Sequence, residues 1–288
     1  MVSKMKDGAM ILEGGAVRGV FTAGALDYLQ EQDFMIRHVI GVSAGSGNLL
    51  NFLSRQRGRM RDCTIRQRED DGKLIDFKRA LHTGSLFDMD LLFDIDPKEK
   101  YPFDFETFFA SPMGHEIVVT NCLTGQAEYL SEYEDPDRLM LLARASSSMP
   151  LVSPVVELQG IPYLDGGLAD SIPLFHAMRL GYRKNVVILT RNKGYRKTIS
   201  KKAMTLYGAA LKKYPEVVKA ICRRPLQYNR TLECIEKWEE EGRIFVIRPQ
   251  LPAISRTETK PDALMGFYSH GYEQMKKQYK DMLCFLDE

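Results

Sequence analysis

The stretch Gly41-Val42-Ser43-Ala44-Gly45-Ser46 follows the apolar run Met35 to Ile40 and leads into Ala44 to Leu53, which has the composition of a helix. Strand, sharp turn and helix around a G-x-S-x-G pattern make a nucleophile elbow. Glycines beside the serine give the turn room to close and let a substrate carbonyl approach. The serine then projects from the carboxyl edge of a sheet, where α/β folds place ligands. It also stands at the N-terminus of the following helix, whose dipole favours developing negative charge. Ser43 is the candidate nucleophile, with Gly41 and Gly45 supporting the turn.

The element order fits such an elbow. Ala9 to Leu12 is a buried strand ended by Gly14-Gly15, Val20 to Gln32 has helical apolar spacing, and Met35 to Val42 is a second strand. This strand, helix, strand, helix rhythm predicts a parallel sheet. Later strands are expected at Glu116 to Asn121, Gln126 to Leu130, Asn185 to Thr190 and Ile244 to Arg248, with a hairpin around Gly160. Helices are expected from Asp135 through LMLLARASSS, at Pro173 to Leu180, Lys201 to Arg223, Arg230 to Glu241, and from Pro261 to about Leu286. Arg55 to Lys73 reads as exposed, and Leu81 to Phe109 as short helices and loops capping a cleft. No repeat or linker divides the 288 residues, so one domain is expected over 1–288, helical from about residue 200.

Composition excludes several classes. A net charge of +2 gives no reason to expect nucleic acid. The Tyr182 to Arg224 stretch is rich in Lys and Arg. Its preferred reading is a solvated surface, with peripheral contact to anionic lipid left open. Five scattered cysteines without a C-x-x-C pair suit a reducing compartment and no zinc site. The charged N-terminus lacks the apolar region of a signal peptide, and no apolar run is long enough to span a bilayer. The expectation is a cytoplasmic protein without a transmembrane segment, metal or cofactor.

An acyl-transfer serine needs oxyanion donors and a base. Glu13 to Gly19 (EGGAVRG) joins the first strand to the first helix, and its small residues allow successive main-chain N–H groups to share one concavity. Gly14, Gly15, Ala16, Val17 and Arg18 are the candidate oxyanion segment; the stretch matches neither common phosphate-loop pattern. None of His38, His82, His115, His176 and His270 sits in a catalytic frame, though His176 follows Asp165 in the order of a Ser, Asp, His triad. Asp165, followed by Gly166 and Gly167 at a strand end, is the other candidate. It is intrinsically a weak base, yet it accepts a serine proton if the two side chains touch and the charge moves to a prepared hole.

EGGAVRG, GVSAG and DGG, in this order, resemble the patatin-like phospholipase family in its bacterial, cytoplasmic form. The resemblance runs from about Met10 to Asp170 and includes RASSSMP and SPVVELQG. It implies a three-layer α/β/α sandwich with a mainly parallel central sheet. It also implies a Ser–Asp dyad of Ser43 and Asp165, with Asp165 the proton acceptor and the glycine-rich segment the oxyanion hole. The activity implied is hydrolysis of acyl-ester lipids through an acyl-enzyme, without metal. The family commonly has a third glycine where this chain has Ala16; if the position needs positive φ, the hole is loosened there. Two alternatives remain. One is an acyltransferase of related fold, which would pair its serine with a histidine. The other is a catalytically weak lipid-binding protein.

Overall fold

The structure is a computed structural model, and it describes residues 5–67, 71–76, 79 and 85–288. His82 and Leu81 to Gly84 of the expected cap lie outside the described residues. Strands are β1 (Lys6–Leu12), β2 (Ile36–Val42), β3 (Gly114–Asn121), β4 (Ala127–Leu130), β5 (Val156–Leu158), β6 (Ile161–Asp165), β7 (Asn185–Ile188) and β8 (Phe245–Ile247). Helices are α1 (Gly19–Glu31), α2 (Ala44–Leu53), α3 (Arg59–Ile65), α4 (Phe105–Phe109), α5 (Pro136–Ser147), α6 (Leu174–Arg179), α7 (Lys201–Ala210), α8 (Pro215–Glu240) and α9 (Pro261–Asp287), with a π-helical segment at Leu91–Lys100.

One sheet runs β5-β6-β3-β2-β1-β7-β8, with β4 also paired to β3. From β3 to β8 all pairings are parallel. The pairings of β4, β5 and β6 are antiparallel. The central strands are apolar without alternation because both faces are covered. Met10, Leu12, Val39, Ile117, Val186 and Ile188 join one core with α1, α2, α5 and α9. Ile11, Ile40, Val42, Val118 and Val187 join a second core with α6 and α8. This is the expected three-layer arrangement. The β5–β6 hairpin turns through Gln159 and Gly160, both at positive φ (51° and 80°), as a two-residue turn demands.

Three expectations are corrected. Helix α8 is continuous from Pro215 to Glu240 across Pro225, and the break lies at 211–214 instead. Its buried face (Val217, Ile221, Tyr228, Leu232, Ile235) holds the helix against the sheet and outweighs the one hydrogen bond that Pro225 removes. The Arg55 to Lys73 stretch is not simply exposed: it contains α3, with Cys63, Thr64 and Ile65 buried. A buried ion pair, Arg66 to Asp96 at 2.6 Å, ties its end to the π-helical segment.

Helix α9 closes the sheet face opposite α8. It packs along α1, with Phe21 and Phe267 rings 5.5 Å apart and the Tyr268 hydroxyl donating to the buried Asp27 carboxylate at 2.7 Å. No described helix is long and apolar enough to cross a membrane.

Candidate active site

Strand register brings the two key side chains together. On one flank of β3, Val42 lies opposite Val118 and Asp165 opposite Val119; Tyr129 and Glu128 of β4 occupy the other flank. Strand β2 runs parallel to β3 and β6 antiparallel, so their carboxyl ends converge on adjacent positions. The residue after β2 is Ser43, and the last residue of β6 is Asp165.

Ser43 takes φ 56° and ψ −125°, a strained conformation for a residue with a side chain. Its half-buried hydroxyl faces the cavity, and its carbonyl accepts from the Ser46 N–H at 2.8 Å and the Ser46 hydroxyl at 2.6 Å. A side chain at Gly45 would meet the Leu12 carbonyl at 2.2 Å, so only glycine lets α2 start this close to β1. At Gly166, directly after Asp165, the corresponding contact is 2.1 Å to the Val118 carbonyl.

The Asp165 carboxylate is buried. It accepts from the Gly167 N–H at 2.8 Å. Burial pushes its pKa above the ordinary carboxylate value; the Ser43 hydroxyl, acting as hydrogen-bond donor, and the charges of Arg224 and Lys197 oppose that rise. A buried carboxylate facing a hydroxyl is a stronger base than one in water.

The 13–18 segment faces Ser43, as expected from the parallel pairing of β1 and β2, with Gly14 packed against Ser43. Gly14, Gly15, Ala16, Val17 and Arg18 all line the same cavity as Ser43 and Asp165. The Arg18 N–H donates to the Gly15 carbonyl at 3.2 Å, whereas the Gly15, Ala16 and Val17 amides have no acceptor among the described residues. Ala16 adopts φ 52°, the region that favours glycine. Burial and nearby Arg191 push the Arg18 guanidinium down to about 10. Glu13 anchors the segment: its buried carboxylate accepts from the Thr190 N–H at 2.7 Å and the Tyr228 hydroxyl at 2.5 Å.

The cavity measures about 250 Å³, and Ser43 divides it into two chemically different arms. One is apolar, with Leu50, Met60, Leu86, Phe87, Phe93 and Met140 on its walls. The expected cap contributes Leu86, Phe87, Met89, Leu92 and Phe93 to that arm. The other is cationic and aromatic, with Arg191, Lys197, Arg224, Tyr195 and Tyr228.

No histidine lines the cavity among the described residues. His176 and His38 both bind the Glu116 carboxylate, at 2.9 and 3.1 Å. His176 also stacks on Tyr129 at 3.4 Å between ring centroids, as a packed histidine would. His115 is buried, and its pKa is pushed down to about 4 by burial and by His38. His270 accepts main-chain N–H groups of Gln250 and Leu251. The thiol of Cys63, which also lines the cavity, is pushed up to about 12 by burial.

Sequence reading missed Ser146. Its buried hydroxyl donates to the Val118 carbonyl at 2.7 Å and accepts from the Ser43 N–H at 2.9 Å. It thus fills the seam where β2 ends and β6 begins. The only signal for it was the serine run at the end of α5, in RASSSMP. Arg224, Lys197 and Arg191 were also missed as site residues, since they fall in the basic stretch read as surface.

A parallel α/β sheet, a serine elbow at its carboxyl edge and an aspartate at the adjacent strand end define a hydrolase-type scaffold. Residues 10–178 match the family model described as patatin-like phospholipase. The chain belongs to that family, which at family level supports a lipase or phospholipase type of hydrolase. Residues 214–287 match a second model, described only as a domain of unknown function (DUF6363). The protein named "Uncharacterized protein YjjU" from Escherichia coli (strain K12) is 34% identical over 189 residues, covering 63% of this chain and 51% of that protein. The chain therefore spans about half the length of this curated relative. The crystal structure of VipD from Legionella pneumophila aligns over 99% of this chain and 67% of its own, with TM-score 0.50 and 14% identity, a likeness of fold.

Proposed function

We propose that the protein is a serine acyl-ester hydrolase acting on lipid esters, with Ser43 as nucleophile and Asp165 as its base. The observation that carries this reading is the meeting of the Ser43 hydroxyl with the buried Asp165 carboxylate beside amides that lack acceptors. The acyl chain occupies the apolar arm. Asp165 takes the Ser43 proton as Oγ bonds to the ester carbonyl carbon. The Gly15 to Val17 amides receive the oxyanion. The intermediate collapses, the ester C–O bond breaks, and the alcohol leaves with the proton from Asp165. Water, deprotonated by Asp165, then cleaves the acyl-enzyme and releases the fatty acid. No step calls for a metal or cofactor.

The lack of a cavity-lining histidine among the described residues supports hydrolysis over the Ser–His acyltransferase alternative. We also take the family-matched region and the C-terminal helices as one catalytic unit in a cytoplasmic protein, since α8 reaches the site through Tyr228. The test is hydrolysis of a short-chain p-nitrophenyl ester, with a lipid panel to follow. Ser43→Ala is expected to lose at least about a thousandfold in kcat; a rate near wild type would end the assignment.

A further inference from the structure

The cationic arm of the cavity lies outside the family-matched residues. Arg191 and Lys197 follow β7, and Arg224 projects from α8, inside the stretch matched only by a domain of unknown function. These side chains are gathered by specific contacts. The Ser171 hydroxyl gives its proton to the Gly167 carbonyl at 2.7 Å. Its lone pairs accept from Arg224 Nε and from Lys197 Nζ, each at 3.4 Å. Lys197 Nζ also lies 3.8 Å over the Tyr228 ring. Asn229 clamps the loop to α8: its side chain accepts from the Lys197 N–H at 2.8 Å and donates to the Lys197 carbonyl at 3.1 Å.

The charge in this arm is not balanced. Glu13 and Asp165 are the only acids among the described residues lining the cavity. Against them stand Arg18, Arg191, Lys197 and Arg224, none in an ion pair with a described residue. The terminal nitrogens of Arg224 have no hydrogen-bond partner among the described residues, although one lies 3.3 Å from where a side chain at Gly167 would begin. Burial and the neighbouring Arg224 hold the Lys197 ammonium well below its ordinary pKa, a sign of cations crowded together without a counter-ion. Half-buried cations held together in this way are suited to an anion with several oxygens, which can take charge-assisted bonds from an Arg fork and a Lys at once.

We propose that Arg224, Lys197 and Arg191 form a phosphate subsite on the alcohol side of Ser43, making the substrate an ester of a phosphate-bearing lipid alcohol. This rests on the hydrolase reading for its orientation. An ester has two arms, and if the acyl chain fills the apolar arm, the alcohol must point to the cationic one. The C-terminal segment then has a defined role, because α8 brings headgroup recognition to a catalytic core that lacks it.

The test is direct binding by calorimetry in low salt, with the full chain and ligands that cannot be hydrolysed. One ligand is an ether-linked decyl glycerol phosphate; the second is the same decyl glycerol without phosphate; the third is inorganic phosphate. The phosphate-bearing lipid is expected to bind at least about tenfold more tightly than its uncharged counterpart. Arg224→Gln and Lys197→Gln should each remove most of that preference, and Arg224→Lys should retain part of it. Thermal melting checks each variant, and Lys197→Gln carries the test if Arg224→Gln does not fold. Equal affinity for the two lipids, or a preference surviving both Gln changes, overturns the proposal. Inorganic phosphate binding as tightly as the lipid phosphate overturns the headgroup assignment in favour of a free-phosphate site. These readouts do not need turnover: an active Ser43→Ala protein would end the hydrolase reading and leave the phosphate preference standing, while an unselective but active enzyme would do the reverse.

Discussion

Val42 and Asp165 stand opposite consecutive residues of β3, Val118 and Val119, on the same flank of that strand. A parallel strand thus hands over to an antiparallel one end to end, and the serine and the aspartate meet at the join. Such a join breaks the ladder of main-chain hydrogen bonds, and buried groups left unpaired are costly. The Ser146 hydroxyl repairs it by serving Val118 and Ser43 together.

Ser146→Ala should therefore destabilise the protein by about 1–3 kcal/mol, the cost of leaving a buried donor and acceptor unsatisfied. Because Ser43 loses an anchor at its strained turn, kcat should fall more than KM changes. Chemical denaturation and steady-state kinetics check both. Unchanged stability would mean that the seam is not under strain.

Asp165 gives a pH signature. Its carboxylate must be ionised to accept a proton, and burial raises its pKa above the ordinary 3.8. The acid limb of kcat/KM should therefore have its midpoint above that value, with activity lost as pH falls through it. Arg224→Gln removes a charge that lowers this pKa, so it should move the limb to higher pH. Stability runs the other way. A pKa raised by folding contributes stability below the unfolded value, and that contribution is lost as pH rises through the folded one. Asp165→Asn should then melt at higher temperature than wild type near neutral pH, while losing at least about a hundredfold in kcat. Parallel thermal melts and pH–rate profiles decide this.

Ala16 sits at φ 52° beside the nucleophile. The left-handed region costs an alanine roughly 1–2 kcal/mol, and a glycine there gives back about 0.5–1 kcal/mol through its freer unfolded chain. Ala16→Gly is expected to stabilise the protein by about 0.5–1 kcal/mol and to keep or raise kcat. A clear loss of stability, measured by urea titration, would show that the alanine methyl is needed for packing.

His176 is held between Tyr129 and Glu116 and does not reach the cavity. His176→Ala and His270→Ala should each keep kcat/KM within about threefold of wild type. A loss of several hundredfold in a folded variant would restore a histidine to the mechanism.

Much of this site was legible because its pieces are local. The elbow, the glycine-rich turn and the D-G-G strand end are each dictated within a few residues by strain and close approach, and the order of strands places their ends on one edge. The remainder depends on contacts between distant segments. Ser146 is one serine among Ser146, Ser147 and Ser148, and only the meeting of β2 and β6 singles it out. Arg224 and Lys197 look like parts of a solvated basic run until α8, unbroken at Pro225, turns them onto Asp165. Likewise Met60, Cys63 and Thr64 belong to a polar stretch in sequence, yet α3 turns them toward the cavity.

The most direct measurement is labelling with a fluorophosphonate, followed by mass spectrometry of the adduct and its rate of formation. Wild-type protein should carry a single adduct on Ser43, formed at least about a hundredfold faster than in Asp165→Asn. An adduct on another residue, or equal rates in the two proteins, would contradict a serine activated by this aspartate.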